Sequence, residues 1–435
     1  MSIFTKKLKE IAEIIMGQSP PGLSYNENGE GLPFYQGVKD FQYRFPVPRV
    51  FCTKPTRIAK AGDILFSVRA PIGKVNVANH TCAIGRGLAI IRPHENADSR
   101  FIEFVLCSFE SNWHAIEGSG SVFGNATKED LETLEIPWPD VKERRAIAHI
   151  LGTLDDKIEL NRRTCETLEQ IARGLFKSWF VDFEPVRAKM SGRWKKGQSL
   201  PGLPAHLWDL FPDRLLDSEL GQIPEGWEIV EVGREVELIK GVSYRSEEIS
   251  ESDVALVTLK CFNRGGGYRS DALKPYIGPF KSEQIISPGE LILAQTDITQ
   301  AAEVIGKPAL VLPDERYQKL IASLDVLIIR PYSCELSSEF FYLLFFTNEF
   351  TEHIYGHVNG TTVLHLHKNG VSSFRFVKPP ETIAKYFSSF LKQLFKLIMS
   401  LTLESRTLAG LRDALLPKLI SGVLHMEDAA KFILE

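Results

Sequence analysis

A chain of 435 residues exceeds one ordinary hydrophobic core and predicts two to four domains. Its 44% hydrophobic and 24% charged residues supply packed cores, and no apolar run is long enough to cross a bilayer. A net charge of −4 speaks against a uniformly basic nucleic-acid binder. The charge is uneven, however: between Glu30 and Pro93 ten Lys and Arg meet only Glu30, Asp40 and Asp63.

In chain order, residues 1–140 show short β-rich runs punctuated by Gly and Pro, the pattern of a small mixed domain made mostly of strands. The runs include Ile15 with Gly17, YQGVKDF at Tyr35–Phe41, GDILFSVRAPIGKVNV at Gly62–Val77 and LAIIRP at Leu88–Pro93. A short helix, FIEFVLCSF, follows Arg100, then a Gly-rich loop from Gly118 and a Pro-marked strand, LEIPWPD.

Residues 141–183 change character. Ile147, Leu151, Leu154, Ile158, Leu168 and Leu175 lie on one 3.5-residue seam, with Asn161, Cys165 and Ala172 filling its other places. The spacing predicts a long helix of about 50 Å, roughly 33 residues at 1.5 Å each. Residues 184–222 are rich in Pro, Gly and charge; SGRWKKGQSLPGLP reads as an extended connector.

Residues 223–380 then restate the first domain. Ile239 and Gly241 match Ile15 and Gly17; VTLKCFN (Val257–Asn263) matches YQGVKDF, setting Lys260 against Lys39 and Phe262 against Phe41. PGELILAQTDITQAAEVIGKPALVL restates GDILFSVRAPIGKVNV, and VLIIRP restates LAIIRP. Residues 381–435 carry the second long helix and a tail. Its seam, Leu391, Leu394, Ile398, Leu401, Leu408 and Leu415, repeats the first at an offset of 240, and Pro417 and Gly422 mark its end.

The expected fold is α+β: two mixed, β-rich domains separated by an antiparallel coiled coil of two long helices, duplicated with pseudo-twofold symmetry. Asn161, at the place Leu401 takes in the second copy, would fix the helix register at some cost in stability.

Enzyme signatures are missing. IGK at Ile72–Lys74 lacks the upstream glycine and the Ser/Thr of a phosphate-binding P-loop. There is no G-x-S-x-G elbow, no H-E-x-x-H helix and no N-P-P-[FY] tetrapeptide of an adenine methyltransferase. HLH at His365–His367 is better explained by strand alternation than by a metal. Six cysteines without a C-x-x-C pair, and no apolar leader at the N-terminus, fit a reducing cytoplasm. Two modules on a helical spacer suit a ruler reading two sites about 34–36 Å apart on duplex DNA.

At this point the chain resembles the DNA-specificity subunits of type I restriction–modification systems. The resemblance rests on DDKIELNRRTCETLEQIARGLFKSWFVDFEPVRAK (Asp155–Lys189), SELGQIPEGWE (Ser218–Glu228), LRDALLPKLISG (Leu411–Gly422) and the GDILFSVRAPIGKV stretch. It implies that 1–140 and 223–380 are target-recognition domains, each reading half of a bipartite, asymmetric site in double-stranded DNA. It also implies two methyltransferase (modification) subunits docked on the paired helices and, in some systems, restriction or translocase subunits. S-adenosylmethionine, ATP and Mg would belong to those partners; this chain would hold no cofactor, metal or catalytic residue. A DNA-independent coiled-coil scaffold and a self-sufficient modification enzyme are the competing readings.

Candidate DNA contacts in the first domain are Gln36, Lys39, Arg44, Arg69, Lys74, Arg86 and the loop residues Ser119 and Ser121. Arg suits guanine O6/N7 or phosphate, and Gln suits adenine N6/N7. In the second domain they are Lys260, Asn263, Arg264, Thr296 and Thr361, a set weakened because AQTDITQAAEVIGKPA has lost the counterpart of Arg69.

Overall fold

The computed structural model describes residues 4–110, 113, 125–297, 302–360, 363–367 and 369–424. It divides into two compact units, Met1–Arg163 with Leu401–Glu435, and Thr164–Ser400.

In the first unit an antiparallel sheet runs in the order Ala12–Met16, Leu88–Pro93, Ile64–Ser67, Val75–Val77. Its central strands Ile64–Ser67 and Leu88–Pro93 are buried on both faces, which is why they read as continuous apolar runs. Ile64, Phe66 and Ile91 pack on the helix Ser99–Ser108, and Leu65, Leu88 and Ile90 pack on Tyr35 and Ile84 of a second sheet. In that second sheet Leu32–Tyr35 is parallel to Cys82–Ile84, which is antiparallel to Ile58–Ala59. Thr5–Lys7 closes the domain against Glu135–Pro137.

The second unit repeats the four-stranded sheet strand for strand and the core of the second sheet. Its sheet order is Val236–Lys240, Val326–Pro331, Leu291–Ala294, Pro308–Leu310, all antiparallel. Val254–Val257 is parallel to Lys319–Ala322, which is antiparallel to Ile285–Ile286, and Glu228–Glu231 closes on Arg375–Lys378.

Both copies keep one ion pair at the same place. Arg92 donates from Nε and Nη2 to Asp63 at 2.9 and 2.7 Å, while Asp63 also accepts the Lys60 amide at 2.7 Å. Arg330 and Glu290 repeat the arrangement, with Glu290 accepting the Ser287 amide. Each copy also keeps a glycine that nothing larger could replace. A Cβ on Gly17 would lie 2.1 Å from the Gly85 carbonyl oxygen, and one on Gly241 2.1 Å from that of Ser323.

The long helices are Val141–Phe180 and Glu381–Ile420, 40 residues each. They pair antiparallel: within the first unit Asp155 meets Arg412 and Asn161 meets Leu401 and Glu404; within the second Cys165 meets Ile398 and Phe176 meets Phe387. Ile147, Leu151, Leu154, Ile158, Leu391, Leu394 and Leu415 are buried, and Leu168, Leu175, Ile398, Leu401 and Leu408 are half-buried. The second helix continues through Pro417, which in the last turn forfeits a single hydrogen bond, and Gly422 at φ +67° follows its end.

The segment 184–222 is not an extended connector. It folds into a helix, Glu184–Met190, a 3-10 stretch, Ala205–Leu210, and a strand pair, Leu215–Ser218 with Gly221–Pro224. Val186, Trp194, Leu207 and Phe211 are buried in the second unit's core with Trp179, Phe180 and Trp227. Lys189 ties it together by donating to the Phe211 carbonyl at 2.6 Å. Pro and Gly mark where this stretch turns; its aromatic residues decide that it packs.

Candidate nucleic-acid interface

In the first unit the strand Leu32–Tyr35 runs into the 3-10 turn Val38–Asp40, pinned by the buried Asp40 carboxylate, which accepts from Arg49 Nη2 at 2.6 Å and Nε at 3.0 Å. Lys39 is left exposed on this turn, while Gln36, just before it, is half-buried. A Cβ on Gly87 would sit 2.2 Å from the Gln36 carbonyl oxygen, and Val68 N–H donates to the Gly87 carbonyl at 3.0 Å. The loops bearing Gln36, Arg86 and Arg69 therefore converge on Gly87. Arg69 and Arg86 are both exposed.

The ten cations between Glu30 and Pro93 sort into two groups. Arg44, Arg49, Lys74 and Arg92 are spent on carboxylates of the same unit. Lys39, Lys54, Arg57, Lys60, Arg69 and Arg86 are exposed and form no ion pair among the described residues. Six uncompensated cations on one small domain are the electrostatic footprint a phosphate backbone needs.

Several candidates fall away on inspection of their partners. Arg44, with 18% of its side chain exposed, donates to Glu103 at 3.3 Å and Asp156 at 3.0 Å, so it anchors the domain to the first long helix rather than to DNA. Lys74 pairs with Glu110, and its counterpart Lys307 reaches Thr351 at 3.5 Å. Burial, then the nearby Arg173, pushes the Lys307 ammonium below its usual range. Thr296 is buried and donates to Asp325 at 2.9 Å, which removes it as a contact. Ser119, Ser121 and Thr361 lie outside the described residues.

Three second-unit candidates are brought together. Lys260, Asn263 and Arg264 line a cavity of about 380 Å³ with Phe262 and Arg269. Arg264 is 80% exposed and pairs with Glu303 at 3.2 Å.

Sequence reasoning missed what holds the first domain on the helices. Tyr43 donates from its hydroxyl to Asp155 at 2.8 Å, and Arg412 donates to the same carboxylate oxygen at 2.6 Å. Burial, then Asp155, holds the Tyr43 hydroxyl protonated well above the usual tyrosine range, so it stays a donor. No spacing signal joins residues so distant in the chain. Among the described residues no group of three His, Cys, Asp or Glu is placed to hold a metal, and no helix is long and apolar enough to cross a membrane.

Residues 4–170 match the type I restriction modification DNA specificity domain. The chain is 26% identical to the type I restriction enzyme MjaIX specificity subunit of Methanocaldococcus jannaschii, over 97% of this chain and 94% of that protein. It is 25% identical to the HindI specificity subunit of Haemophilus influenzae, covering 83% of this chain and 86% of that one. A 44% identity to the putative MjaX specificity subunit of M. jannaschii spans only 37% of that relative's length. The crystal structure of a type I S subunit from M. genitalium shares the fold, with a TM-score of 0.52 and 16% identity over 96% of this chain and 95% of that one.

Residues 4–170 thus match the family's DNA specificity domain, and along nearly its whole length the chain is similar to type I restriction enzyme specificity subunits.

Proposed function

We propose that this chain reads a bipartite, asymmetric site in double-stranded DNA, one half-site per unit, and positions two modification subunits on it. The observation that carries this reading is one fold built twice, with its turns and loops chemically diverged. Two copies kept for stability alone would have no reason to replace the Arg69 loop with AQTDITQAAEVIGKPA. The unpaired cations of the first domain supply the phosphate anchoring such a reader needs. The helix pair serves as spacer and dock; S-adenosylmethionine is carried by the modification subunits, and ATP and Mg by restriction subunits where these join.

The test is a genome-wide map of methylated adenines in cells with and without this gene, alongside its modification subunit. Loss of a motif of two short half-sites around a fixed gap supports the reading. A complex that binds DNA with no dependence on salt or sequence overturns it in favour of a scaffold.

A further inference from the structure

The two units present one matched element. In each, a strand paired in parallel leads into a 3-10 turn, Val38–Asp40 in the first and Leu259–Cys261 in the second. Each turn exposes a lysine, Lys39 or Lys260, and then buries a phenylalanine: Phe262 is 4% exposed and Phe41 packs half-buried on its core. The next residue is a carboxamide in both, Gln42 and Asn263, and both are exposed.

The loops bearing them are closed alike. Val47 N–H donates to the Asp40 carbonyl at 2.9 Å, and Arg269 N–H to the Cys261 carbonyl at 2.9 Å. Phe41 and Gln42 line a cavity of about 610 Å³ shared with the long helices, and Phe262 and Asn263 line one of about 380 Å³. Neither side-chain amide makes a hydrogen bond among the described residues, whereas most polar side chains around them do. A carboxamide held on a rigid turn beside a lysine has one donor and one acceptor to offer, the pattern that pairs with adenine N7 and N6 in the major groove.

We infer that Gln42 and Asn263 are the equivalent base-reading side chains of the two units, each taking an adenine edge in its own half-site while Lys39 and Lys260 hold the adjoining phosphate. The inference rests on the proposed function and specifies it. The residues that follow, Tyr43 and Arg264, are chemically unlike, and Tyr43 is engaged with Asp155 while Arg264 is nearly all in solvent. One shared contact beside divergent neighbours is what two modules with different half-sites require.

The experiment uses the full complex with its modification subunits and reads the methylated motif on a plasmid library. Asn263→Ala relaxes one position of one half-site, its preference falling roughly tenfold or more, and leaves the other half-site intact. Gln42→Ala does the same in the other half. Asn263→Asp, close in shape, turns that position toward cytosine, whose N4 donates to a carboxylate; a variant that merely fails to fold loses the whole motif instead. Variants that melt and bind like the wild type with an unchanged motif overturn the assignment of the carboxamides alone. A wild-type complex that marks no motif overturns the underlying function as well.

Discussion

Asn161 donates from Nδ2 to Glu404 Oε2 at 2.7 Å, and the same amide lies 3.5 Å from the carbonyl of Leu401, its own counterpart in the second copy. Only 2% of Asn161 is exposed, so a polar group occupies a seam position that the second helix fills with leucine. Such a group exchanges stability for alignment. Asn161→Leu should raise unfolding stability by about 1 kcal/mol, since Glu404 keeps Lys157 at 3.5 Å and stays partly in water. Spin labels on the two helices should give a broader distance distribution in the variant. An unchanged distribution would show that Asn161 does not set the register.

The repeated ion pair makes a graded prediction. Asp63 has 6% of its side chain exposed and Glu290 21%. Asp63→Ala strands the Arg92 guanidinium, whose other carboxylate, Glu13, is 3.5 Å away, and orphans the Lys60 N–H. It should cost about 3 kcal/mol in chemical denaturation. Glu290→Ala, more solvated, should cost about half as much. Equal costs would mean that burial does not govern these pairs.

Glycines separate by what surrounds them. Gly17→Ala and Gly241→Ala drive a Cβ into backbone carbonyls and should each cost at least 3 kcal/mol or abolish folding. Gly174 and Gly410 are exposed on the long helices with nothing within 4 Å of an added Cβ. Gly174→Ala and Gly410→Ala should each stabilise by about 1 kcal/mol, measured as a rise in Tm.

Much of this organisation was legible in the sequence, for physical reasons. Doubly buried strands leave contiguous runs such as LAIIRP and VLIIRP, and a 40-residue amphipathic helix leaves a seam that few other structures produce. Gly17 and Gly241 stood out as a matched pair before their crowding was visible. Partners were not legible. Arg44 and Arg69 look equally free in the sequence, yet the carboxylates that engage Arg44 lie 59 and 112 residues away. Thr296 differs from an exposed threonine only through Asp325. The segment 184–222 was misread because its prolines and glycines outweighed Trp194, Leu207 and Phe211, three of the side chains that bury it.

Glu159 gives the pH dependence. Burial alone would raise its carboxyl, but hydrogen bonds from Arg162 at 2.9 Å and Arg163 at 2.7 Å outweigh it and hold the group below its usual range. A depressed carboxyl stabilises the fold above its unfolded value, about 4.3, and that contribution fades as pH falls toward the folded value. Glu159→Gln should therefore cost on the order of 1 kcal/mol at pH 7, limited because both arginines are partly in water. The difference between variant and wild type should shrink below about pH 4.3. A gap that widens on acidification would show the sign to be wrong.

The helix contacts of the two domains differ in chemistry at three equivalent positions. In the first unit Asp155 accepts from Tyr43 and Arg412, and Glu103 accepts from Arg44 at 3.3 Å and Arg100 at 3.2 Å. In the second, 240 residues on from Asp155, stands Phe395; Ala172 takes the place of Arg412, and Tyr342, in the place of Glu103, meets Phe395 edge-on at 5.4 Å while its hydroxyl donates to Glu169 at 2.8 Å, a carboxylate that Arg173 also engages. Ion pairs are screened by salt where water reaches them, as at Asp156 and in part at Arg412, whereas apolar contacts are not weakened by it. Raising NaCl from about 0.05 to 1 M, where the Debye length falls from roughly 13 to 3 Å, should therefore loosen the first domain's hold more than the second's. Hydrogen exchange at residues 41–47 should speed up several-fold with salt, while the helix Ser338–Leu344 should respond less. Asp155→Ala should cost about 3 kcal/mol at low salt and measurably less at high salt; Phe395→Ala should cost about 3–4 kcal/mol at both. No salt response at residues 41–47 would mean that packing, not charge, holds the first domain, and that the Asp155 network contributes little.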